Sequence, residues 1–339
     1  MPLHPSVVLQ QSACAACLPV CDHYAGNEKS MRKSLALQAE LATAAGPVFD
    51  ITFDCEDGAA SGAERDHAIM AASLLAGTDN RFGRVGVRVH DFRHPAVHDD
   101  LEILFTAAGD RIAYVVLPKV ADLDEAERFV DLVRATTVRH GLPHGVPVHV
   151  LIESPSALTD VARIAALPAV ECLSFGLMDF VSAHGGAIPA AAMTSPGQFD
   201  HPLVRRAKLE ISAACHAHSK TPSHNVTTRF DDPAHAGADA ARAAAEFGYT
   251  RMWSIHPAQV RAIVAALQPP AEAVDEAAAI LLRAREAEWG PTRQDQHGRS
   301  VLHDRASYRF YWDLLRRARA AGVPIDATTE HIFFEETRP

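Results

Sequence analysis

The sequence predicts an α/β protein, a (β/α)8 TIM barrel followed by a C-terminal helical, lid-like extension. Eight short apolar runs rich in β-branched residues recur through residues 1–255. They alternate with Ala-rich stretches of helical spacing, which is the pattern of a parallel sheet. Eight such units in about 250 residues match the usual size of this barrel. An open doubly wound sheet is the alternative, but the Gly-x-Gly-x-x-Gly turn of a dinucleotide fold does not follow the first run.

The eight runs are spaced widely enough for one crossover helix after each predicted strand. In chain order the predicted strands are Ala16–Val20, Val48–Asp54, Val85–His90, Ile112–Pro118, Pro147–Glu153, Val170–Gly176, Thr221–Val226 and Tyr249–Ile255. One connection, from Ser182 to Pro202, is far longer than the others and carries several Gly and Pro residues. Long connections in compact domains are usually functional, so we expect either a cover over the site or a surface insertion.

The chain beyond the eighth unit forms the extension. Pro269-Pro270 ends a helix, and Ala271–Trp289 predicts another, which stops at Gly290-Pro291. A polar stretch, Gln294–Ser307, precedes a return to helical spacing at Tyr308–Ala320. We therefore predict two parts, a catalytic barrel over residues 1–268 and the extension over residues 269–339.

Composition narrows the class of partner. Hydrophobic residues make up 48% and charged residues 22%, and the formal net charge is −10. The absence of basic runs argues against nucleic acid, and the absence of an unbroken apolar stretch of about 20 residues argues against a membrane span. A small molecule is the predicted partner. The first residues lack a secretory signal, which predicts a cytoplasmic protein with reduced thiols.

Three cysteines near the start form a C-x2-C-x3-C run, Cys14, Cys17 and Cys21. Such a run can hold a metal or a cluster, but no matching second pair follows it. We expect these cysteines to act as small apolar residues in and beside a buried first strand.

Polar side chains collect at the carboxyl ends of the predicted strands, where barrels of this type carry their chemistry. In strand order these residues are Asp54, Glu56 and Asp57, then Arg88 and His90, Lys119, Glu153, Asp179, His224 and Asn225, and His256. Strand starts show no such collection. The pattern predicts an active site at this end of the barrel.

Glu153 and Asp179, on neighbouring strands, can converge on one divalent cation. Oxygen ligands with no paired His or Cys favour Mg2+ over Zn2+, with the remaining positions left to water and substrate oxygens. The alternative is that both carboxylates cap their following helices, or that Glu153 pairs with Lys119.

Arg88 offers a planar fork for a substrate carboxylate, or else it is a structural partner of Asp54 or Glu56. Lys119 either neutralises developing negative charge or forms an ion pair at the barrel mouth. Like charges in the Asp54, Glu56 and Asp57 cluster need nearby cations, so we expect them to position Arg88 and metal-bound waters. A solvated acidic turn is the alternative for this cluster, and helix capping is the expectation for His256.

At these residues the sequence resembles the HpcH/HpaI aldolase and citrate lyase β-subunit family. The matching pieces, in order, are Phe53-Asp-Cys-Glu-Asp-Gly-Ala, Val87-Arg-Val, Leu117-Pro-Lys-Val, Leu151-Ile-Glu-Ser, Phe175-Gly-Leu-Met-Asp-Phe and Ser254-Ile-His-Pro-Ala-Gln-Val. The resemblance implies a (β/α)8 barrel, Mg2+ on Glu153 and Asp179, and Arg88 near a substrate carboxylate. It also implies a homotrimer and cleavage or formation of a carbon–carbon bond, commonly on an acyl-CoA.

Four departures from the family pattern affect the prediction of substrate. The opening Arg-Ser-x-Leu-Phe-Val-Pro motif is replaced by residues 17–24, which lack its arginine. His90 stands where the family has Asn and is a candidate substrate-binding residue with Arg88 and Lys119. The lysine of the helix after the acidic motif is missing from residues 62–67, and His224 replaces an Asp. The roles of His224 and of the cysteine run stay open.

The predicted activity is a Mg2+-dependent lyase acting on a β-hydroxyacyl-CoA such as malyl-, citramalyl- or citryl-CoA. The stretch Gly298–Asp304 resembles the lid motif of relatives with extra C-terminal segments, which makes Asp304 a candidate acid or base, acting in cis or from a neighbouring subunit. Capping of the following helix is the alternative role of Asp304. Two other functions stay open: a CoA-independent, metal-dependent aldolase on a 2-oxo-4-hydroxy acid, and a non-catalytic docking subunit.

Overall fold

Eight parallel strands close into a barrel in the computed structural model, which describes residues 3–9, 18–142, 145–296 and 299–335. The strands are β1 Cys21–Ala25, β2 Phe49–Asp54, β3 Val85–Arg88, β4 Ile112–Leu117, β5 Val148–Ile152, β6 Val170–Phe175, β7 Thr221–His224 and β8 Arg251–Ser254. Each strand pairs with the next, and β8 closes the barrel on β1. The predicted fold class is confirmed.

Helices follow the strands and cover the outside of the barrel. They are α2 Glu28–Leu41, α3 Glu64–Ala76, α4 Val97–Ala108, α5 Leu123–Arg139, α6 Pro155–Thr159, α7 Val161–Ala166, α8 Leu177–Ser182, α9 Gly197–Asp200, α10 Pro202–Ala217, α11 Ala234–Phe247 and α12 Pro257–Leu267, after a first short helix α1, Pro5–Val8. Local sequence sets several of their starts. Asn27 and Ser30 form a capping box at α2, Asp122 caps α5, and Pro202 occupies the first position of α10.

The first strand lies five residues later than its predicted position, Ala16–Val20. Residues 16 and 17 lie outside the described part of the chain, and β1 begins at Cys21. Asp22 explains the error, because this carboxylate is buried inside the barrel rather than placed after a strand. It accepts hydrogen bonds from Thr52 Oγ1 at 2.8 Å and Tyr114 Oη at 3.0 Å. The first strand therefore carries buried polar side chains, which the search for an apolar run did not select.

The compact unit that contains the barrel comprises residues 18–42 and 47–267. A second unit comprises residues 43–46, the segment from residue 268 onward and the described N-terminal residues. Its elements are α1, α13 Ala271–Glu286, an antiparallel hairpin of β9 Thr292–Gln296 and β10 Arg299–His303, α14 Arg305–Ala320, α15 Ala327–Glu330 and a π-helical turn, His331–Glu335.

The hairpin occupies most of the polar stretch Gln294–Ser307, for which the sequence pattern predicted no particular secondary structure. Inside this unit Tyr308 is fully buried, and its hydroxyl donates to the Gly290 carbonyl at 2.8 Å. The indole of Trp289 donates to the Leu3 carbonyl at 2.7 Å, which ties the N-terminal residues to the unit. Across the described residues, every helix is too short or too polar to cross a membrane.

Candidate functional site

A cavity opens at the carboxyl end of the barrel strands and has a volume of about 270 Å³. Its charged lining comes from four strand ends: Asp54 and Asp57 from β2, Arg88 from β3, Glu153 from β5 and Asp179 from β6. The structure therefore brings five of the predicted site residues to one cavity. This is the end of the barrel at which such folds hold their active sites.

Glu153 directly follows β5, and its side chain is buried. Its Oε2 accepts a hydrogen bond from the Lys119 backbone N–H at 3.1 Å. Gly176, at the end of β6, gives it room, because a Cβ there would lie 2.3 Å from the Glu153 Cγ. A glycine at this position is thus a condition for the observed placement of the carboxylate.

Asp179 lies in the first turn of α8 and faces the same cavity as Glu153. Burial raises the pKa of Glu153 to about 8; the Arg88 charge opposes this shift, and the Asp179 charge adds to it. A cation shared by the two carboxylates would favour the ionised form of both.

The donor set of this carboxylate pair fits Mg2+. Both side chains offer oxygen, and no group of three or more His, Cys, Asp or Glu ligands occurs among the described residues. Zn2+ usually takes three or four protein ligands that include nitrogen or sulfur, whereas Mg2+ is commonly held by one or two carboxylates and keeps several waters. Glu153 and Asp179 therefore have the chemistry of a magnesium site completed by water and substrate.

Arg88, the last residue of β3, points one edge of its guanidinium at Asp54. Its Nε and Nη2 donate to the two Asp54 oxygens at 2.8 and 2.6 Å, and Nη1 lies 3.1 Å from Glu56 Oε2. The guanidinium has five N–H donors, so at most three are committed to these two carboxylates. The two parallel hydrogen bonds that were predicted for a substrate carboxylate are made with Asp54 instead. The remaining N–H groups of Arg88 are not committed to these carboxylates, and Arg88 lines the cavity.

Asp54 is fixed from both sides. Besides the two bonds from Arg88, its oxygens accept the backbone N–H groups of Glu56 at 3.0 Å and Gly58 at 2.9 Å. A Cβ at Gly58 would lie 2.1 Å from Asp54 Oδ2, and a Cβ at Gly26 would lie 1.9 Å from the Gly58 carbonyl oxygen. Two glycines thus allow the turn that holds Asp54, and Asp54 in turn orients Arg88.

The model of one protein family, HpcH/HpaI aldolase/citrate lyase, matches residues 35–257, which include all five charged residues of the cavity. The chain belongs to the HpcH/HpaI aldolase/citrate lyase family. The resemblance found in the sequence motifs is confirmed.

Two relatives are similar to this chain in sequence, and one more distant structure shares its fold. A crystal structure of a citrate lyase from Burkholderia xenovorans shares 57% identity and a TM-score of 0.83, covering 98% of this chain and all of that one. An L-malyl-CoA/beta-methylmalyl-CoA lyase from Cereibacter sphaeroides is 29% identical, over 73% of this chain and 79% of its own length. At 22% identity and a TM-score of 0.62, CitE from Mycobacterium tuberculosis, solved with magnesium, acetoacetate and coenzyme A, shares the fold over 90% of this chain and 99% of its own.

Lys119 and His90 line a different, smaller cavity of about 230 Å³ together with Glu56 and Asp57. Lys119 Nζ contacts Glu56 and donates to Asp57 at 2.9 Å, so its side chain forms the ion pair named as the alternative. These contacts raise its pKa even though burial acts in the opposite direction. Its φ of 51° is unusual for a residue other than glycine and places its N–H on Glu153.

Asp57 lines both cavities. Burial raises its pKa, but the hydrogen bond and charge of Lys119 more than offset this and hold the pKa below the usual range. Glu56 shows the opposite result, because burial outweighs Arg88 and Lys119 and raises its pKa.

His90 Nδ1 bonds Asp100 Oδ2 at 2.6 Å, and its ring stacks on His94. Of the three predicted substrate-binding residues, Arg88 alone lines the larger cavity.

Asp304 is the N-cap of α14 in the second unit. Its Oδ1 accepts the backbone N–H groups of Ala306 at 2.9 Å and Ser307 at 3.3 Å, in a capping box with Ser307. The capping role named as the alternative is therefore present. Gly298, the first residue of the lid-like motif, lies outside the described residues.

His224 lies in β7, is fully buried beside Lys208 and is not among the residues that line either cavity. Burial and the charge of Lys208 lower its pKa. Asn225 is also buried there and accepts a hydrogen bond from Lys208 Nζ at 2.5 Å.

Of the cysteine run, Cys14 and Cys17 lie outside the described residues. Cys21 is a buried thiol, and burial raises its pKa.

The long connection after α8 contains a 3-10 turn, Ala190–Met193, and α9. None of its described residues between 183 and 201 lines the larger cavity. It packs instead toward Asp239 of α11, whose carboxylate accepts hydrogen bonds from Ser195 and from Gln198, the latter at 3.0 Å.

Sequence reasoning missed two aromatic residues of the cavity, Tyr24 and Trp253. Both lie inside strands rather than after them, so a search of strand ends passes over them. The signal that could have found them is the two-residue period of a strand. Tyr24 shares a face with the buried Asp22, and Trp253 shares one with the buried Arg251.

Proposed function

We propose that this chain is a Mg2+-dependent carbon–carbon lyase that cleaves or forms a β-hydroxyacyl-CoA such as malyl-, citramalyl- or citryl-CoA. The observation that carries the proposal is the convergence of Glu153, Asp179 and Arg88 on one cavity at the carboxyl end of the barrel. Family membership and the names of the relatives, malyl-CoA lyase and citrate lyase, support the reaction class.

In this proposal Glu153 and Asp179 hold the metal ion through carboxylate oxygens. Bound Mg2+ supplies Lewis-acid polarisation of substrate oxygens. Gly176 keeps the Glu153 carboxylate in place, and the Lys119 N–H orients it. Burial of Glu153 makes the site dependent on the cation for charge balance.

Arg88 binds the substrate carboxylate with the N–H groups that Asp54 does not occupy. Asp54 fixes the guanidinium plane with two hydrogen bonds, so the donors are oriented before substrate arrives. Glu56 and Asp57 hold Lys119 beside this arrangement. These three acidic residues position cations, and Arg88 contacts the substrate.

Cleavage removes the proton of the substrate hydroxyl, and the carbon–carbon bond breaks as that oxygen becomes the carbonyl of a 2-oxo acid. The electron pair of the broken bond passes to the acyl fragment as a thioester enolate, which is then protonated. For the proton transfer we propose the carboxylate of Asp304 from another copy of the chain in a cytoplasmic homotrimer. Its Oδ1 caps α14, and we assign the proton transfer to Oδ2.

The test is an assay of the purified chain with Mg2+ against malyl-CoA, citramalyl-CoA and citryl-CoA, with free 2-oxo-4-hydroxy acids in parallel. Release of a 2-oxo acid from a thioester, abolished by a chelator and restored by Mg2+, is the expected result. Turnover of free acids alone would make the chain a CoA-independent aldolase. No turnover of either class would contradict the proposal and favour a docking subunit.

A further inference from the structure

One wall of the larger cavity carries no charge. It consists of Tyr24 on β1, Val226 after β7, and Trp253 and Ile255 on and after β8. We call these four residues the apolar wall. In the closed strand order β7, β8 and β1 are neighbours, and β8 faces β4, which lies between the strands that carry Arg88 and Glu153. The apolar wall therefore faces the charged side of the cavity.

Packing holds the apolar wall in place. The Tyr24 and Trp253 rings lie 4.6 Å apart between centroids at 54°, and both belong with Val226 to one buried core cluster. The Arg88 guanidinium lies 5.3 Å from the Tyr24 ring centroid, so Tyr24 marks the border between the two sides. Ile255 is 43% exposed and forms the outer part of the wall.

The geometry of a 2-oxo acid orients it between the two sides. Its carboxylate and keto oxygens lie along one edge of a plane, and the substituent on the carbonyl carbon lies on the other. With the oxygens bound by Arg88 and by the cation that Glu153 and Asp179 would hold, the substituent would be directed to the apolar wall. Among the described residues that form this wall there is no Lys, Arg or His. The donors of this wall are neutral, namely the Tyr24 hydroxyl and the Trp253 indole N–H, which has no hydrogen-bond partner in the described part of the chain. A second carboxylate placed there would lose its hydration without gaining a cation.

We propose that the 2-oxo acid half of the substrate carries an uncharged apolar substituent, larger than hydrogen, that contacts Tyr24, Val226 and Trp253. This inference rests on the proposed lyase function and specifies its substrate class. It selects hydroxyacyl thioesters with an alkyl group at the hydroxyl-bearing carbon. It disfavours substrates that carry a hydrogen there or a carboxymethyl group, the latter being the case in citryl-CoA.

Calorimetric titration of 2-oxo acids at saturating Mg2+ tests the inference without relying on turnover. The probes are glyoxylate, pyruvate, 2-oxobutyrate and oxaloacetate, of which the last two differ only by a terminal methyl against a carboxylate. We expect affinity to rise roughly fourfold for each added carbon from glyoxylate to 2-oxobutyrate. Oxaloacetate should bind roughly tenfold or more weakly than 2-oxobutyrate. Tightest binding of oxaloacetate or glyoxylate would overturn the inference.

A charge-introducing variant provides a second test at a position that tolerates it. Ile255→Arg places a cation on the partly exposed end of the apolar wall, and it should tighten oxaloacetate while weakening 2-oxobutyrate. The matched control is Phe230→Arg, because Phe230 stacks on His256 at the same end of the barrel, is 63% exposed and is not among the residues that line the cavity. Equal effects of the two variants would contradict the role of the wall.

The two proposals fail in different ways. If no 2-oxo acid binds and no thioester turns over, the lyase function itself is wrong, and the inference falls with it. If a thioester turns over but oxaloacetate binds best, the lyase function stands and the apolar-wall inference is wrong.

Discussion

Two buried arginines stand at opposite ends of the barrel strands and make similar ion pairs. Arg88 ends β3 and pairs with Asp54 and Glu56, while Arg251 begins β8 and pairs with Asp50 at 2.7 Å and Asp22 at 3.1 Å. Arg251 is fully enclosed, and its Nη1 also donates to the Pro19 carbonyl at 2.6 Å. Arg88 instead lines a cavity.

Burial and ion pairing therefore do not by themselves distinguish a functional arginine from a structural one. Each arginine pairs with two buried carboxylates, and this pairing raises the pKa of both arginines despite burial. What separates them is access. Arg88 adjoins space that a ligand can fill, at the end of the barrel where chemistry occurs, whereas the other end serves stability.

The largest expected effect is on stability at the enclosed arginine. Arg251→Leu leaves Asp22 buried without its cation, while Asp50 keeps its pair with Arg84. We expect a loss of about 3–5 kcal/mol in the free energy of unfolding. Urea denaturation measures it. The control is Arg261→Leu, which breaks an exposed pair with Glu40 and should cost less than about 1 kcal/mol. Similar losses in both variants would remove the structural role of Arg251.

At the cavity arginine the effect should appear in catalysis. Arg88→Lys retains the charge but loses the planar fork that Asp54 orients, so kcat/KM should fall roughly 10- to 1000-fold, or about 1.4–4 kcal/mol. Steady-state kinetics with the best thioester substrate provides the measurement. Arg65→Lys, in an exposed pair with Asp99, is the matched control and should retain wild-type kinetics. If Lys at position 88 served equally well, Arg88 would act only as a distant charge.

Asp304 likewise has two candidate roles, a structural one as a helix cap and a chemical one in proton transfer. Asp304→Ala removes the helix cap and should cost about 0.5–2 kcal/mol of stability, whereas Asp304→Asn keeps the cap and removes the carboxylate. If Asp304 transfers the proton, both variants lose activity, but only the Ala variant loses stability. Full activity of Asp304→Asn would leave Asp304 as a cap alone.

Mixing Asp304→Asn chains with Glu153→Gln chains tests whether Asp304 acts from another copy. Sites that combine an intact barrel with an intact Asp304 would restore partial activity in mixed oligomers. Rescue is the expected result, and its absence would place Asp304 in its own chain's site.

The smallest expected effect is a pH dependence at the second cavity. Burial lowers the pKa of His90, but the hydrogen bond to Asp100 outweighs it, so the folded-state pKa stands above 6.5. The protonated form therefore contributes stability that is fully present below pH 6.5 and is lost as pH rises through the folded-state pKa. We expect the melting temperature of His90→Asn to vary less with pH over this window than that of wild type. A parallel decline in both proteins would contradict this role of His90.

Much of the fold follows from sequence periodicity, because buried parallel strands are short, apolar and regularly spaced. The observed β2 to β8 all lie within their predicted runs. The strand β1 was misplaced since Asp22, His23 and Tyr24 are polar or amphipathic yet buried. Arg251, which pairs with the Asp22 carboxylate, lies more than 200 residues away in the sequence. No local sequence pattern predicts such a pairing.

The sequence predicted which residues could form the candidate site, but it did not predict which of them contact one another or share a cavity. Strand-end polarity selected Glu153, Asp179 and Arg88, which the structure brings to one cavity. The same criterion also selected His224, which lines neither cavity, because the position of a residue at a strand end does not specify the direction of its side chain. Lys119 lines the second cavity and has a left-handed backbone conformation, and neither property is evident from its sequence neighbours.

Magnesium binding to variants of the carboxylate pair tests the central claim most directly. Calorimetric titration of wild type, Glu153→Gln and Asp179→Asn with Mg2+ alone measures it, with Asp57→Asn as the control from the same cavity. We expect both ligand variants to lose measurable Mg2+ binding while remaining folded by circular dichroism, since each loses one anionic oxygen of the site. Asp57→Asn should retain most of the affinity. Wild-type Mg2+ affinity in both Glu153→Gln and Asp179→Asn would contradict the metal site and, with it, the account of this cavity as a lyase active site.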